Sequence, residues 1–137
     1  MNRIILWILR ILAALIMLQT LFYKFSAAEE PVYIFSTLGM EPWGRIGTGI
    51  GELIASLLIL YPRTTGIGSL MGIGLMLGAI YFHLTKLGIV VHVNNAPEGD
   101  GGQLFIYGCI VLVCCIVLAY VHRNQFLNLL KRKTVTA

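Results

Sequence analysis

The sequence predicts an all-α fold, an integral membrane bundle of four antiparallel helices with both termini on the cytoplasmic side. Three observations carry this. Apolar residues make up 58% of the chain and charged ones 12%, with a mean hydropathy of +0.85, too oily for an ordinary soluble domain. Four stretches, 4–25, 43–61, 65–86 and 102–121, each approach the roughly 20 apolar residues that a helix needs to cross about 30 Å of hydrocarbon. With the N-terminus inside, seven of the ten Lys and Arg residues (Arg3, Arg10, Arg63, Arg123, Lys131, Arg132 and Lys133) lie on the cytoplasmic side, against Lys24, Arg45 and Lys86 outside. What remains is two outer connections, 26–42 and 87–101, and a cytoplasmic tail, 122–137, so residues 1–137 read as a single transmembrane domain.

The first span imitates a secretory signal peptide, because Arg3, Arg10 and an oily run precede the small residues Ser26, Ala27 and Ala28. The oily run is longer than a signal core and Lys24 lies close to the cleavage point, so the segment is read as a retained helix. Arg10 has no assigned partner unless it marks the inner boundary. In the second span, Leu53, Leu57, Leu58 and Leu60 supply the lipid-facing bulk, while Thr48, Glu52, Ala55 and Ser56 share the other side. The third places Gly68, Gly72, Ala79 and His83 on one small face. The fourth holds Cys109, Cys114 and Cys115, which lack the CxxC spacing or histidine partners of a zinc or redox site and read as packing residues. Tyr23, Trp43, Tyr61, Tyr81 and Tyr120 fall near span ends, as an aromatic belt would.

The clusters Gly47-Thr-Gly-Ile-Gly51 and Gly66–Gly74 look like phosphate loops, but a dinucleotide fingerprint needs a strand before it and an acid about 20 positions on. Close helix approach explains them better, since Gly47 and Gly51, Gly68 and Gly72, and Gly74 and Gly78 each stand four apart. The net charge of +4 follows from topology and contact with anionic lipid, and is no nucleic-acid footprint.

Depth picks out the candidate site. Five of the six acids (Glu29, Glu30, Glu41, Glu98 and Asp100) fall in the outer connections, leaving Glu52 alone within a span. Counting about 1.5 Å per residue along antiparallel helices brings Lys24, Glu52, His83 and the i, i+4 pair Gln103 and Tyr107 to the outer half of one bundle. A charged side chain at the centre of a span costs roughly 2.5–3.5 kcal/mol on insertion scales, so charges within spans pair and often mark a site. Lys24 and Glu52 are the natural pair. An ion pair that only sets helix register, with Lys24 reaching the headgroups or His83 as filler, is the competing reading. His92 and His122 have no partners visible in the sequence and read as surface residues.

At these residues the sequence resembles the DoxX family of small four-helix membrane proteins. The similarity runs through an arginine-led first helix closing on Lys24-Phe25, then Met40-Glu-Pro-Trp43 and Gly51-Glu52-Leu53. It continues in Tyr61-Pro-Arg63-Thr64 and in Ala79 and His83, covering about the first 90 residues. The fourth helix and the loop with Asn94-Asn95 and Glu98-Gly-Asp-Gly-Gly102 match no family pattern. The resemblance implies a bacterial inner-membrane protein among relatives that include membrane subunits of thiosulfate:quinone oxidoreductase, others linked to redox defence, and distant assembly chaperones. It carries over Lys24, Glu52 and His83 as site residues.

Two functions follow. In the first, a quinone or quinol head group binds in the outer half, with Lys24 or His83 donating to a ring oxygen, Gln103 and Tyr107 lining the site and Glu52 relaying the proton. The chain carries no flavin, haem or iron–sulfur motif, so a membrane quinone is the expected cofactor, and a partner redox subunit or a second copy is the expected partner beside the bilayer. In the second, the polar cluster locks a non-catalytic scaffold or assembly chaperone. A transporter lacks support, because no inverted repeat or broken helix pair is visible.

Overall fold

Hydrocarbon offers backbone N–H and C=O groups no partner, so a chain this apolar must satisfy them inside helices. The computed structural model, which describes residues 2–93, 96–97 and 99–136 with side chains as far as Lys131, does so. Its elements are α1 (Arg3–Phe25), α2 (Glu29–Thr37), α3 (Trp43–Leu60), α4 (Thr65–Phe82) with a π-helical turn (His83–Leu87), α5 (Gln103–Val121) and α6 (Arg123–Thr136). Four of these, α1, α3, α4 with its π turn, and α5, are long and apolar enough to span a membrane. Asn94, Asn95, Glu98 and the side chains of Arg132 and Lys133 lie outside the described residues.

One of the outer connections and the tail are themselves helical. The 26–42 connection contains α2, whose first turn carries Glu29 and Glu30 against the positive end of the helix dipole and buries Pro31 and Phe35, four apart on one face. The tail 122–137 contains α6. Gln125 fixes its start, accepting from the Gly66 amide at 2.7 Å and donating to the Pro62 carbonyl at 2.8 Å, which ties α6 to the α3–α4 turn. In that turn the Thr64 and Thr65 hydroxyls lie 2.8 Å and 3.0 Å from the carbonyls of Leu58 and Ile59, satisfying groups that the end of α3 leaves open.

The spans form a ring in which α1 packs on α3, α3 on α4, α4 on α5 and α5 on α1. Ala13, Met17, Ala55, Ile59, Val111, Cys115 and Leu118 fill its centre. Ile8, Leu15, Leu57, Leu77 and Val113 are exposed, as residues facing lipid must be, and Tyr23, Trp43, Tyr61, Tyr81 and Tyr120 are exposed near span ends. Of the second span's expected lipid-facing residues, Leu57 is exposed and Leu53, Leu58 and Leu60 are half-buried, because α3 contacts both α1 and α4.

The glycines divide. A Cβ at Gly68 would stand 2.7 Å from the Ile59 nitrogen, and one at Gly72 would stand 2.6 Å from Cys115 Sγ, so these two do bring helices together. Gly51 is at ordinary contact distance from Leu75, whereas a Cβ at Gly47, Gly74 or Gly78 would meet nothing within 4 Å. Those three are not packing residues, and Gly74 and Gly78 instead border a cavity.

His122 is also not a surface residue. Its Nε2 lies 2.9 Å from a guanidinium nitrogen of Arg10 and its Nδ1 lies 2.9 Å from the Leu118 carbonyl. Arg10, buried, stacks over the Trp7 ring with its Cζ 4.6 Å from the centroid. A cation within the first span thus finds an imidazole at the α5–α6 junction. His92 is exposed, with Nδ1 3.0 Å from the Ala96 carbonyl.

Candidate functional site

Lys24 closes the last turn of α1 and Glu52 sits midway along α3. The two helices pack side by side, and the Lys24 ammonium pairs with Glu52 Oε1. Glu52 is only 5% exposed. Its second oxygen is met by Thr20, whose hydroxyl is 3.0 Å from Oε2 and 2.7 Å from the Met17 carbonyl. Thr20 precedes Lys24 by one helical turn, so both point the same way from α1. Arg45, buried near the start of α3, braces the pair from behind: it donates to the Lys24 backbone carbonyl and holds Glu41 with Nε 2.9 Å from Oε1. These contacts anchor the ammonium's backbone, so the carboxylate is paired within a fixed frame.

His83 enters from α4, where the helix widens into the π turn and stops at Gly88, whose φ of +79° suits glycine. The imidazole is 6% exposed, with Nδ1 2.9 Å from the Gly88 carbonyl and its ring edge-on to Phe105 at 5.8 Å. From α5, the Gln103 amide nitrogen lies 2.8 Å from the Tyr107 hydroxyl.

All five sequence-predicted residues line one cavity of about 680 Å³ at the end of the bundle covered by α2. Its walls change character with depth. Near α2 they carry the polar groups Lys24, Glu52, Thr48, His83, Gln103 and Tyr107, set beside the apolar side chains of α2 itself, Pro31, Ile34 and Phe35. Toward mid-span they are apolar, with Ile16, Met17, Met76 and Val111, and the bare backbone of Gly74 and Gly78 widens the space. The cavity therefore suits a molecule with a polar head and an oily body. Among the described residues, no group of three or more His, Cys, Asp or Glu is arranged to hold a metal ion.

Glu30 of α2 also lines the cavity, and burial, aided by Asp100, raises its pKa above the ordinary 4.5. A carboxyl with a raised folded-state pKa loses stability as pH climbs from its unfolded value through its folded value. Glu30→Gln should therefore raise the melting temperature at neutral pH and leave it unchanged below about pH 4, where both forms are neutral. Thermal scans of the two proteins across that range check it; a variant less stable at neutral pH would contradict it.

Sequence reasoning missed Thr20, Arg45 and Glu30. The first two carried signals: Thr20 stands four residues before Lys24, and Arg45 four after Glu41. Glu30 did not, because only the α2 helix brings that residue over the cavity. No curated protein and no solved structure matches the chain. A family model described as DoxX matches residues 5–85, which take in Lys24, Glu52 and His83 but neither Gln103 nor Tyr107. With the match spanning more than half its length, and with four membrane-length helices around the site, the chain belongs to the DoxX family.

Proposed function

We propose that this protein is a quinone- or quinol-binding membrane subunit of an oxidoreductase, lying in a bacterial inner membrane with both termini cytoplasmic. The observation that carries the reading is the two-ended cavity. At about 680 Å³ it falls within the range of small-molecule sites, and its polar groups gather at one end. A redox ring with an isoprenoid tail has that distribution of polarity. The donor set also fits, because a quinone needs hydrogen-bond partners at its ring oxygens and a proton carrier beside them.

In this reading Lys24 donates to a ring oxygen, and Glu52, held by Lys24 and Thr20, carries the proton. His83, Gln103 and Tyr107 line the rest of the head-group pocket. When bound, the quinone supplies two-electron chemistry. A separate donor protein or sulfur compound delivers electrons from the aqueous side, as the chain has no redox centre motif of its own. Seven inner cations against three outer ones favour the cytoplasmic termini and put the site in the outer half.

The test is to purify the protein, identify the lipids it carries, and titrate a quinol analogue against wild type, Glu52→Gln and His83→Ala. We expect a bound quinone in the extract and about tenfold or greater loss of affinity in each variant. Equal binding by all three proteins would remove the site as drawn. A non-catalytic scaffold has one observation in its favour, the direct pairing of Lys24 with Glu52, but it leaves the cavity without a use.

A further inference from the structure

The two nitrogens of His83 have different neighbours. Nδ1 faces the Gly88 carbonyl at 2.9 Å, and a carbonyl can only accept, so in the neutral ring the proton sits on Nδ1. Nε2 then carries the lone pair. Backbone geometry enforces the arrangement, since the π turn and the positive φ of Gly88 return that carbonyl to the ring five residues after it. Among the described residues Nε2 has no hydrogen-bond partner. It is not sealed either, because the one buried unpartnered side-chain nitrogen or oxygen there is Arg10 Nε. His83 thus offers the cavity an acceptor.

The groups around the head-group pocket otherwise discriminate little. Lys24 and the Tyr107 hydroxyl donate to a carbonyl or a hydroxyl oxygen alike. Gln103 gives its amide nitrogen to Tyr107 and holds its amide oxygen on an exposed side chain, where water satisfies it as readily as a ligand hydroxyl. Glu52 already receives Lys24 and Thr20, and Glu30 lies on the overlying helix, with Asp100 as its charged neighbour. A ring with two carbonyls has no proton for Nε2 and leaves it unmatched. A ring with two hydroxyls fills it.

We infer that His83 Nε2 accepts a ligand hydroxyl, so that the cavity prefers the reduced, dihydroxy form of a lipid-soluble ring over the oxidised, dicarbonyl form. The inference rests on the quinone reading and adds the redox form that the site selects. Its consequence is thermodynamic. A site that holds the reduced form about tenfold more tightly raises the potential of a bound two-electron couple by about 30 mV, making the oxidised ring a better electron acceptor there.

Two measurements on the full chain in lipid bilayers test it. First, nitrogen NMR of histidine-labelled protein, with His83 assigned by difference against His83→Gln, should show the Nδ1–H tautomer with an unprotonated Nε2. An Nε2–H tautomer overturns the inference. Second, three probes with the same decyl tail and a dihydroxy, dimethoxy or dicarbonyl ring are titrated. The dihydroxy probe should bind about tenfold more tightly than the other two. His83→Phe should abolish that preference, and His83→Gln, whose amide oxygen accepts, should retain part of it. Equal binding of all three probes, or a preference that survives His83→Phe, overturns the inference and leaves a quinone site standing. No binding of any probe overturns both.

Discussion

Glu52→Leu should destabilise the protein by about 3–5 kcal/mol, whereas the double variant Lys24→Met, Glu52→Leu should unfold close to wild type. The single change leaves the Lys24 ammonium without its carboxylate on the bundle face of α1, where its side chain is 16% exposed, and leaves Thr20 without an acceptor at Oε2. An unpaired charge with little access to water costs far more than the pair contributed, because desolvation is no longer offset. Removing both charges replaces the pair with apolar groups of similar volume, which membrane cores accept. The balance is measured by unfolding in detergent micelles, comparing the midpoints of the four proteins of the cycle. Additive losses in the double variant would show that the pair is not energetically coupled. The same double variant separates structure from function: a folded protein that no longer binds the quinol analogue assigns the charges to the site, and full retention of binding assigns them to packing alone.

Gly68→Ala should cost about 1–3 kcal/mol, and Gly78→Ala almost nothing, although both glycines lie on α4. At Gly68 the added Cβ would approach the Ile59 nitrogen to 2.7 Å, Leu58 Cβ to 2.7 Å and the Ala55 carbonyl to 2.9 Å. Two of those atoms are backbone and cannot turn aside, so α3 and α4 must separate and lose contacts along their length. At Gly78 no atom lies within 4 Å of the new methyl group. A bulkier change there acts on the ligand instead: Gly78→Leu should preserve the melting temperature and weaken binding of a tailed quinol probe by about tenfold or more, by filling the cavity. Unfolding midpoints for both alanine variants and a titration of Gly78→Leu check these outcomes. Equal stability losses at Gly68 and Gly78 would contradict the division between packing and cavity glycines.

Several features were legible in the sequence because they depend on depth alone. Apolar runs of span length and a helical rise of about 1.5 Å per residue convert position into height, so Lys24, Glu52, His83, Gln103 and Tyr107 can be brought to one end before any packing is known. The pairing of Lys24 with Glu52 follows from opposite charge at one height. The family resemblance rests on the same first 90 or so residues and agrees with the match over 5–85. Less legible were features that depend on direction around each helix. Spacing of four placed Gly74 and Gly78 on one face, and that is correct, but spacing does not say whether the face meets a neighbour or a cavity. His122 lacked a visible partner because Arg10 lies 112 positions away and meets it only through the α1–α5 contact.

The sequence by itself determined an all-helical membrane protein with four spans, a polar group at one end and membership in a recognisable family. Tertiary structure decided that the spans close into a ring ordered α1, α3, α4 and α5, that α2 covers a cavity, and that Arg10 is held by His122. The physical reason is the solvent. Lipid tails are as apolar as a protein core, so hydrophobic periodicity does not distinguish a face against lipid from a face against another helix. Composition and helical rise set height in the bilayer, while close packing and hydrogen bonds across helices set who stands beside whom.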